Sequence, residues 1–231
     1  MPLIKIDWTG LMSTQNKAAL IDSLWTFISE NKQNKMRAVV ENRTNYVTVV
    51  MEDVFQPHNA SAVLRSCDIF GIQNVHVVEA KYNFKPISTI AMGSAKWLDI
   101  HKHATTTEAI VALKAQGYRI IATTPHTNSY ELPTLPIDGK LALIFGSEQT
   151  GLSDEAMSQA DMFVKIPMYG FVECFNVSVS VALCLYDIVT RLHQSGHVWQ
   201  LSEDEKSDLL LAWIRKVSKT AELLGNRTQD K

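Results

Sequence analysis

Between residues 46 and 190, short β-branched runs recur among helical patterns, and this alternation limits the fold more than any other feature of the chain. Candidate strands are 46–51 (YVTVVM), 74–79 (NVHVVE), 98–103 (LDIHKH), 118–123 (YRIIAT), 141–146 (LALIFG) and 162–167 (MFVKIP). Helical patterns fall between several of them, at 62–70, 107–116 and 153–160. Gly71 and Gly117 follow the first two, where a left-handed residue ends a helix at least cost, and Ser153 with two acids opens the third. Strands spaced by helices of this length predict an α/β fold, a parallel sheet with helices on both faces. The run after Asn176 (VSVSVALCLYDIVTRLHQ) begins with strand-like alternation, but its length predicts a buried helix.

The two ends read as amphipathic helices. Residues 14–31 set Leu20, Leu24, Phe27 and Ile28 on one stripe, and residues 202–218 place Leu210, Trp213, Ile214 and Val217 behind an acidic first turn. Polar stretches at 31–45 and 195–200 read as linkers. The expected division is a helical extension over 1–45, an α/β domain over 46–192 and a second helical extension over 193–231.

Several chemistries fail on inspection. GSEQTG (146–151) has glycines at Walker spacing, but Leu152 follows where the phosphate-binding lysine belongs. No strand is followed by GxGxxG, and no GxSxG is present. The three cysteines, Cys67, Cys174 and Cys184, form no CxxC pair, and His193 and His197 lack the intervening glutamate of a zinc helix. These two histidines, like His101 and His103, read as solvated, and no metal is expected. No stretch approaches the roughly 18 apolar residues of a membrane span, and the amino end lacks the build of a signal peptide, so a soluble, cytoplasmic protein is expected.

Three segments remain. The first is PHNASAVLRS (57–66), in which Asn59 precedes a helix that carries Arg65 among apolar residues. The second is LALIFGSEQTGLSDEA (141–156), a buried strand that opens into a glycine-flanked loop holding Glu148. The third is VKIPMYGFVECFNVSVSVAL (164–183), a strand ended by Pro167, a loop, and then Asn176, Ser178 and Ser180 entering an apolar helix. Taken singly, each has an ordinary reading: a capped helix with a surface arginine, a strand-turn-helix, and small polar residues capping a helix.

In this order and spacing the three segments resemble the signature motifs of the SPOUT methyltransferase superfamily, and in particular its TrmH (SpoU) family of RNA 2′-O-ribose methyltransferases. Asn59 stands six residues before Arg65; Gly146, Glu148 and Gly151 make G-x-E-x-x-G; Ile166, Pro167 and Met168 precede Asn176, Val177, Ser178 and Val179 as I-P-M and N-V-S-V. The resemblance covers about residues 46–192. It implies a parallel sheet whose carboxyl-terminal part is threaded as a deep trefoil knot, a rare exception to the rule against knotted chains. It also implies a homodimer with its site at the interface, and S-adenosylmethionine as methyl donor. The short helical extension at each end is similar to members that methylate guanosine in the tRNA D-loop. Ribosomal RNA as substrate, or an RNA-binding knot protein without catalysis, are the alternatives.

The resemblance also implies residue roles. Arg65, Asn59, Glu148 and Asn176 would form the catalytic group, with Glu148 anchoring Arg65 or Asn59. Thr124, Gly146, Ile166, Met168 and Phe175 would hold the cofactor. Arg65, Ser178, Cys174 and Arg191 would face the RNA. Cys174 stands where the family usually has serine, and Arg191 is alone on a helix where close members cluster arginines.

Charge adds the manner of RNA binding. Residues 46–190 carry 9 Lys/Arg against 14 Asp/Glu, whereas 1–45 carry 6 against 4 and 191–231 carry 7 against 6. A polyanion would therefore be gripped by local patches on the flanks, through Lys32, Lys35, Arg37, Arg43, Arg191, Arg215, Lys216 and Lys219.

Overall fold

In the computed structural model, which describes residues 13–125 and 129–218, the elements run α1 (Thr14–Trp25), α2 (Glu30–Val40), β1 (Val47–Glu52), α3 (Pro57–Ile69), β2 (Asn74–Val78), α4 (Ser88–Ala91), β3 (Asp99–His103), α5 (Thr106–Ala115), β4 (Arg119–Thr123), β5 (Tyr130–Glu131), β6 (Leu141–Phe145), α6 (Asp154–Gln159), β7 (Met162–Lys165), α7 (Val177–Gln194) and α8 (Glu203–Val217). All six expected strands are present. They form, with the two-residue β5, one sheet in the order β3-β2-β1-β6-β4-β7-β5, every pair parallel. β5 escapes a sequence reading because two residues give no period.

The side chains of β1 alternate between two cores, as a pleated strand requires. Val47, Val49 and Met51 pack with α3 and α7 through Val63, Leu64, Val181, Leu185 and Ile188. Val50 packs on the other face with Ala109, Ile110 and Leu113 of α5. Helices on both faces explain why β6 is apolar throughout, with all five residues buried.

α3 begins at Pro57, a residue suited to a first helical turn because its missing N–H would have had no partner there. Asn59 therefore lies inside the first turn, not ahead of it, and it does not cap the helix. Gly71 and Gly117 adopt φ of +75° and +82° just beyond α3 and α5, the left-handed conformation that glycine takes without a Cβ clash.

The helix expected over 14–31 ends at Trp25, and a second helix, α2, occupies the stretch read as a linker. Ser29, extended at φ −61° and ψ 142°, breaks the run between them. Only Met36 and Val40 of α2 are buried, too thin an apolar stripe to advertise a helix in sequence. The chain divides into two units, one of residues 1–43 with 200–231 and the other of residues 44–199. In the first, α1 and α2 pack against α8 around Trp25, Leu211, Trp213 and Ile214. Buried Lys17 of α1 bonds Asp204 (2.9 Å) and Asp208 (2.7 Å) of α8. Burial alone would depress that ammonium, and the two carboxylates outweigh it and raise its pKa. Ser202 and Glu205 cap α8 reciprocally.

The histidines expected to be solvated are partly packed. Buried His76 meets His103 with 2.9 Å between Nδ1 and Nε2, and His101 stacks on His76 at 4.8 Å. Burial first, and neighbouring His101 and His103 second, push His76 down to about 3. β2 and β3 are parallel in register, which sets His76 opposite His101 and brings all three rings to one face. His193 and His197 are exposed, resting on the rings of Trp199 and Tyr46.

Candidate active site

Ligands of parallel α/β sheets sit beyond the carboxyl ends of the strands, where the strand order reverses. Here β1, β6, β4 and β7 are neighbours, and the loops after them converge. The loop after β6 is held by its own backbone: Ser147 and Gly151 exchange N–H···O bonds of 3.1 and 2.9 Å. A Cβ on Gly146 would lie 2.2–2.3 Å from backbone atoms of Gly151 and Leu152, and Gly151 itself has φ +69°. The glycines thus close this loop upon itself, and only a residue without a Cβ fits at 146. The far end of the loop is fixed by Glu52, the last residue of β1. Its carboxylate accepts from Ser153 N (2.9 Å), Ser153 Oγ (2.6 Å) and Thr106 Oγ1. A glutamate closing a strand otherwise made of Val, Met and one Thr was the available sequence signal for that role.

Asn59, 7% exposed, joins the three segments. Its Nδ2 donates to Glu148 Oε1 (2.6 Å), and its Oδ1 accepts from Asn176 Nδ2 (3.1 Å). Glu148 Oε2 accepts from Phe55 N (3.1 Å). Asn176 Oδ1 caps α7 by accepting from Ser178 N (2.9 Å), and it also accepts from Ser178 Oγ (2.6 Å). A carboxylate can only accept, so Glu148 determines which end of the Asn59 amide faces it, and the orientation passes along to Asn176.

Beside this chain lies a cleft of about 710 Å³. Thr124, Gly146, Ile166, Met168 and Phe175, the five residues expected to hold a cofactor, all line it, and so do Glu148, Asn176 and Cys174. Gln149, Leu152, Met157 and Ser180 also line it and were not anticipated; each lies in or just beyond a motif. Thr124 is anchored by its N–H on Val164 O (3.0 Å). The size is that of a small-molecule site, and the walls are apolar with few charges, Glu148 and Lys165 among them, which suits a nucleoside better than a polyphosphate. Backbone loops and thioether or aromatic walls fit the adenosine and methionine parts of S-adenosylmethionine.

Other expected residues stand elsewhere. Arg65 is exposed on α3, about 9 Å along the helix axis from Asn59 at 1.5 Å per residue, and has no hydrogen bond or ion pair among the described residues. Glu148 consequently anchors Asn59 and not Arg65. Arg191, expected to face RNA, is committed within the fold: Nε bonds Asp187 (2.8 Å), and its two terminal nitrogens bond Leu135 O (2.8 Å) and Leu132 O (3.1 Å). A guanidinium that satisfies two backbone carbonyls and a carboxylate has little donor capacity left for phosphate. Arg43, also expected on an RNA surface, is 1% exposed and stacks on Trp213 at 5.3 Å. Lys32, Lys35, Arg37 and Lys216 are exposed, Arg215 is half-buried, and Lys219 lies outside the described residues. No cluster of three or more metal-ligating side chains occurs among the described residues.

The chain is similar to known proteins. The chain is 41% identical over 206 residues to the tRNA (guanosine(18)-2′-O)-methyltransferase of Borreliella burgdorferi, covering 89% of this chain and 94% of that one. The crystal structure of the A. aeolicus TrmH/SpoU tRNA modifying enzyme matches with a TM-score of 0.74 and 30% identity, over 82% of this chain and 98% of that one. The fold also extends to the SpoU methyltransferase AviRb of Streptomyces viridochromogenes, whose structure was solved with the cofactor AdoMet; the TM-score is 0.58 at 20% identity, over 69% of this chain and 62% of that one. The model of the SpoU rRNA Methylase family matches residues 46–186, which span the sheet, the glycine loop and the Glu148–Asn59–Asn176 chain, and the protein belongs to that family.

Proposed function

We propose that the protein transfers the methyl group of S-adenosylmethionine to the ribose 2′-hydroxyl of guanosine 18 in the tRNA D-loop. The observation that carries this reading is that the second and third motifs line one cleft, and Asn59 of the first bonds both Glu148 and Asn176 in its wall. The Borreliella burgdorferi relative is named for this reaction, and its similarity extends through nearly its whole length.

The donor supplies an activated methyl on a sulfonium, so the protein's work is to align two partners and manage one proton. Gly146 and the backbone after β7 bound one side of the cleft, and Phe175 and Met168 provide apolar walls that exclude water. Glu148, Asn59 and Asn176 act as positioning residues, since their polar atoms are largely spent on one another. Arg65 is the cation available for substrate. A guanidinium with a pKa above about 12 is a poor base, so its role is to hold an RNA phosphate and stabilise charge developing on the 2′-oxygen, while the hydroxyl proton leaves to solvent water. Cys174 lines the cleft, where its thiol offers only a weak donor in place of a hydroxyl, and Ser178 is bonded to Asn176.

A homodimer accompanies this reading. Ile69 on α3 and Val179, Leu183 and Tyr186 on α7 are 37–68% exposed, and Tyr169, Phe171 and Val172 stand out on the adjoining loop. α3 and α7 pack on each other, so these side chains can form one apolar patch of the kind that marks an interface. Arg65 lies one turn from Ile69, which would put it at the dimer interface. The carboxyl-terminal trefoil knot is part of the same proposal. Mechanical extension of the 44–199 unit by its ends should then stop short of its full contour length. No helix among the described residues is long and apolar enough to cross a membrane, in keeping with action in the cytoplasm.

The test is to map ribose methylation on total tRNA and ribosomal RNA from cells with and without the protein. Loss at tRNA position 18 is expected; loss confined to ribosomal RNA would replace the substrate, and no loss would favour the RNA-binding alternative. With purified protein, Arg65→Ala should abolish transfer while leaving S-adenosylhomocysteine affinity unchanged. Near wild-type turnover of that variant would refute the role given to Arg65.

A further inference from the structure

A second cleft, of about 390 Å³, lies against the same glycine loop, with Gln149, Thr150 and Leu152 common to both clefts. Its remaining walls come from the end of β1, the loop after β2 and the start of α6, and they include Asp53, Lys81, Tyr82 and Asp154. Nothing in the methyl-transfer geometry above uses these residues.

Asp53 is the unusual one. With φ of +50° it is one of two non-glycine residues in the left-handed region among those described, a conformation that costs energy and clusters at functional sites. Its Oδ1 accepts from the backbone N–H of Lys81 (2.7 Å) and Tyr82 (3.3 Å), while Oδ2 has no hydrogen-bond partner among the described residues. Lys81 is exposed, and its ammonium likewise has no partner among the described residues. Tyr82 packs edge-to-face on Phe55 at 4.9 Å, and Phe55 is 46% exposed.

We infer that this cleft holds the base of the target nucleotide and selects guanine. The inference rests on the methyl-transfer reading above. Glu52, Asp53 and Asp154 against the single Lys81 make the walls net negative, which disfavours phosphate and favours a neutral group rich in donors. Guanine alone among the bases presents two adjacent donors, N1–H and the 2-amino group, beside an acceptor, O6. The free Oδ2 of Asp53 accepts from this donor pair, and Lys81 donates to O6. Adenine would turn the lone pair of N1 toward the carboxylate. Tyr82, buttressed edge-to-face by Phe55, offers a face for the extruded base, as proteins that read unpaired RNA bases commonly do.

The position also fits. Asp53 is two residues from Phe55, whose N–H binds Glu148, so at most about 7 Å of chain separates the base-reading carboxylate from the backbone beside the methyl-transfer network. A ribose lying between them would keep its 2′-oxygen near Glu148 and its base in the second cleft.

The test compares the full-length protein acting on two tRNA transcripts that carry guanine or adenine at the methylated position, with S-adenosylhomocysteine affinity measured in parallel. Wild type should prefer guanine. Asp53→Asn keeps the Oδ1 bonds but replaces the free acceptor by a donor suited to adenine N1. It should lower kcat/KM for guanine about 10- to 100-fold, the effect of losing a hydrogen bond to a charged group, and shrink the guanine-to-adenine ratio. An equal loss on both transcripts, or no loss, would assign Asp53 to holding the loop and overturn the inference. Should Asp53→Asn fail to fold, Lys81→Met on the exposed side chain decides by the same ratio. A wild-type protein active on neither transcript overturns the methyl-transfer reading and this inference with it, whereas activity with an unchanged ratio in both variants overturns the inference alone.

Discussion

Asn59→Ala is the substitution that most directly tests how the site is held together. It removes the donor to Glu148 Oε1 at 2.6 Å and the acceptor of Asn176 Nδ2 at 3.1 Å. A bond to a charged acceptor contributes about 1.5–3 kcal/mol. The bond to exposed Asn176 adds less, since water can replace Asn59 there. Glu148 keeps only the Phe55 N–H among its described protein bonds. A loss of about 2–3 kcal/mol of stability follows, which for a unit of this size lowers the unfolding midpoint by roughly 4–12 °C. Transfer should fall further than cofactor affinity, because Asn59 does not line the cleft while Glu148 and Asn176 do. Asn59→Asp sharpens the test. It keeps an acceptor for Asn176 but sets a carboxylate against Glu148, and the repelling pair should take up a proton. Its stability should therefore be highest in acid and fall as pH rises through the elevated pKa of the pair. The assays are thermal unfolding from pH 5 to 8, titration with S-adenosylhomocysteine, and single-turnover methylation. Unchanged midpoint and turnover in Asn59→Ala, or an Asn59→Asp variant insensitive to pH, would refute the network as the element that joins the three segments.

Other outcomes follow from single interactions. Gly146→Ala places a Cβ 2.2–2.3 Å from the backbone of Gly151 and Leu152, so S-adenosylhomocysteine binding should be lost, as calorimetry would register; retained affinity would mean the loop can open without harm. His76, held at about 3 in the folded protein against about 6.5 unfolded, takes up a proton only on unfolding across that window, so its contribution is complete above pH 6.5 and is lost as pH falls toward 3, by up to about 1.4 kcal/mol per pH unit. His76→Gln should flatten the acid limb of a urea-unfolding series, and an unaltered limb would remove His76 as its source. Exposed Cys174 should be alkylated readily and be protected by S-adenosylhomocysteine, while Cys67 and Cys184, the latter pushed up to about 12 by burial and by Asp187, stay unmodified in the native protein; mass mapping of the labelled peptides decides. Replacing exposed Lys32 and Lys35 of α2 by glutamine should reduce the salt slope of tRNA binding by about 0.7–0.9 for each phosphate no longer neutralised, with cofactor affinity intact, and an unchanged slope would leave α2 a purely packing element.

The six strands, the longer helices of the α/β unit and five residues that line the cleft were legible in the sequence, because alternation of period 2 and 3.6 and the order of short motifs are local properties, whereas the four-residue α4 was not. Arg191 and Arg43 show where that legibility ends. A sequence counts both as surface cations, whereas folding brings Leu132 O, Leu135 O and Asp187 to one guanidinium and Trp213 to the other. Asn59 reads as a helix cap until α3 starts at Pro57 and leaves its amide free to bind Glu148, 89 residues away, and Asn176, 117 residues away. Composition and period declare which elements form, since each is decided among near neighbours. Which polar groups are spent on one another and which stay open to a ligand depends on the meeting of distant segments, and only packing the sheet, the glycine loop and α7 together decided that.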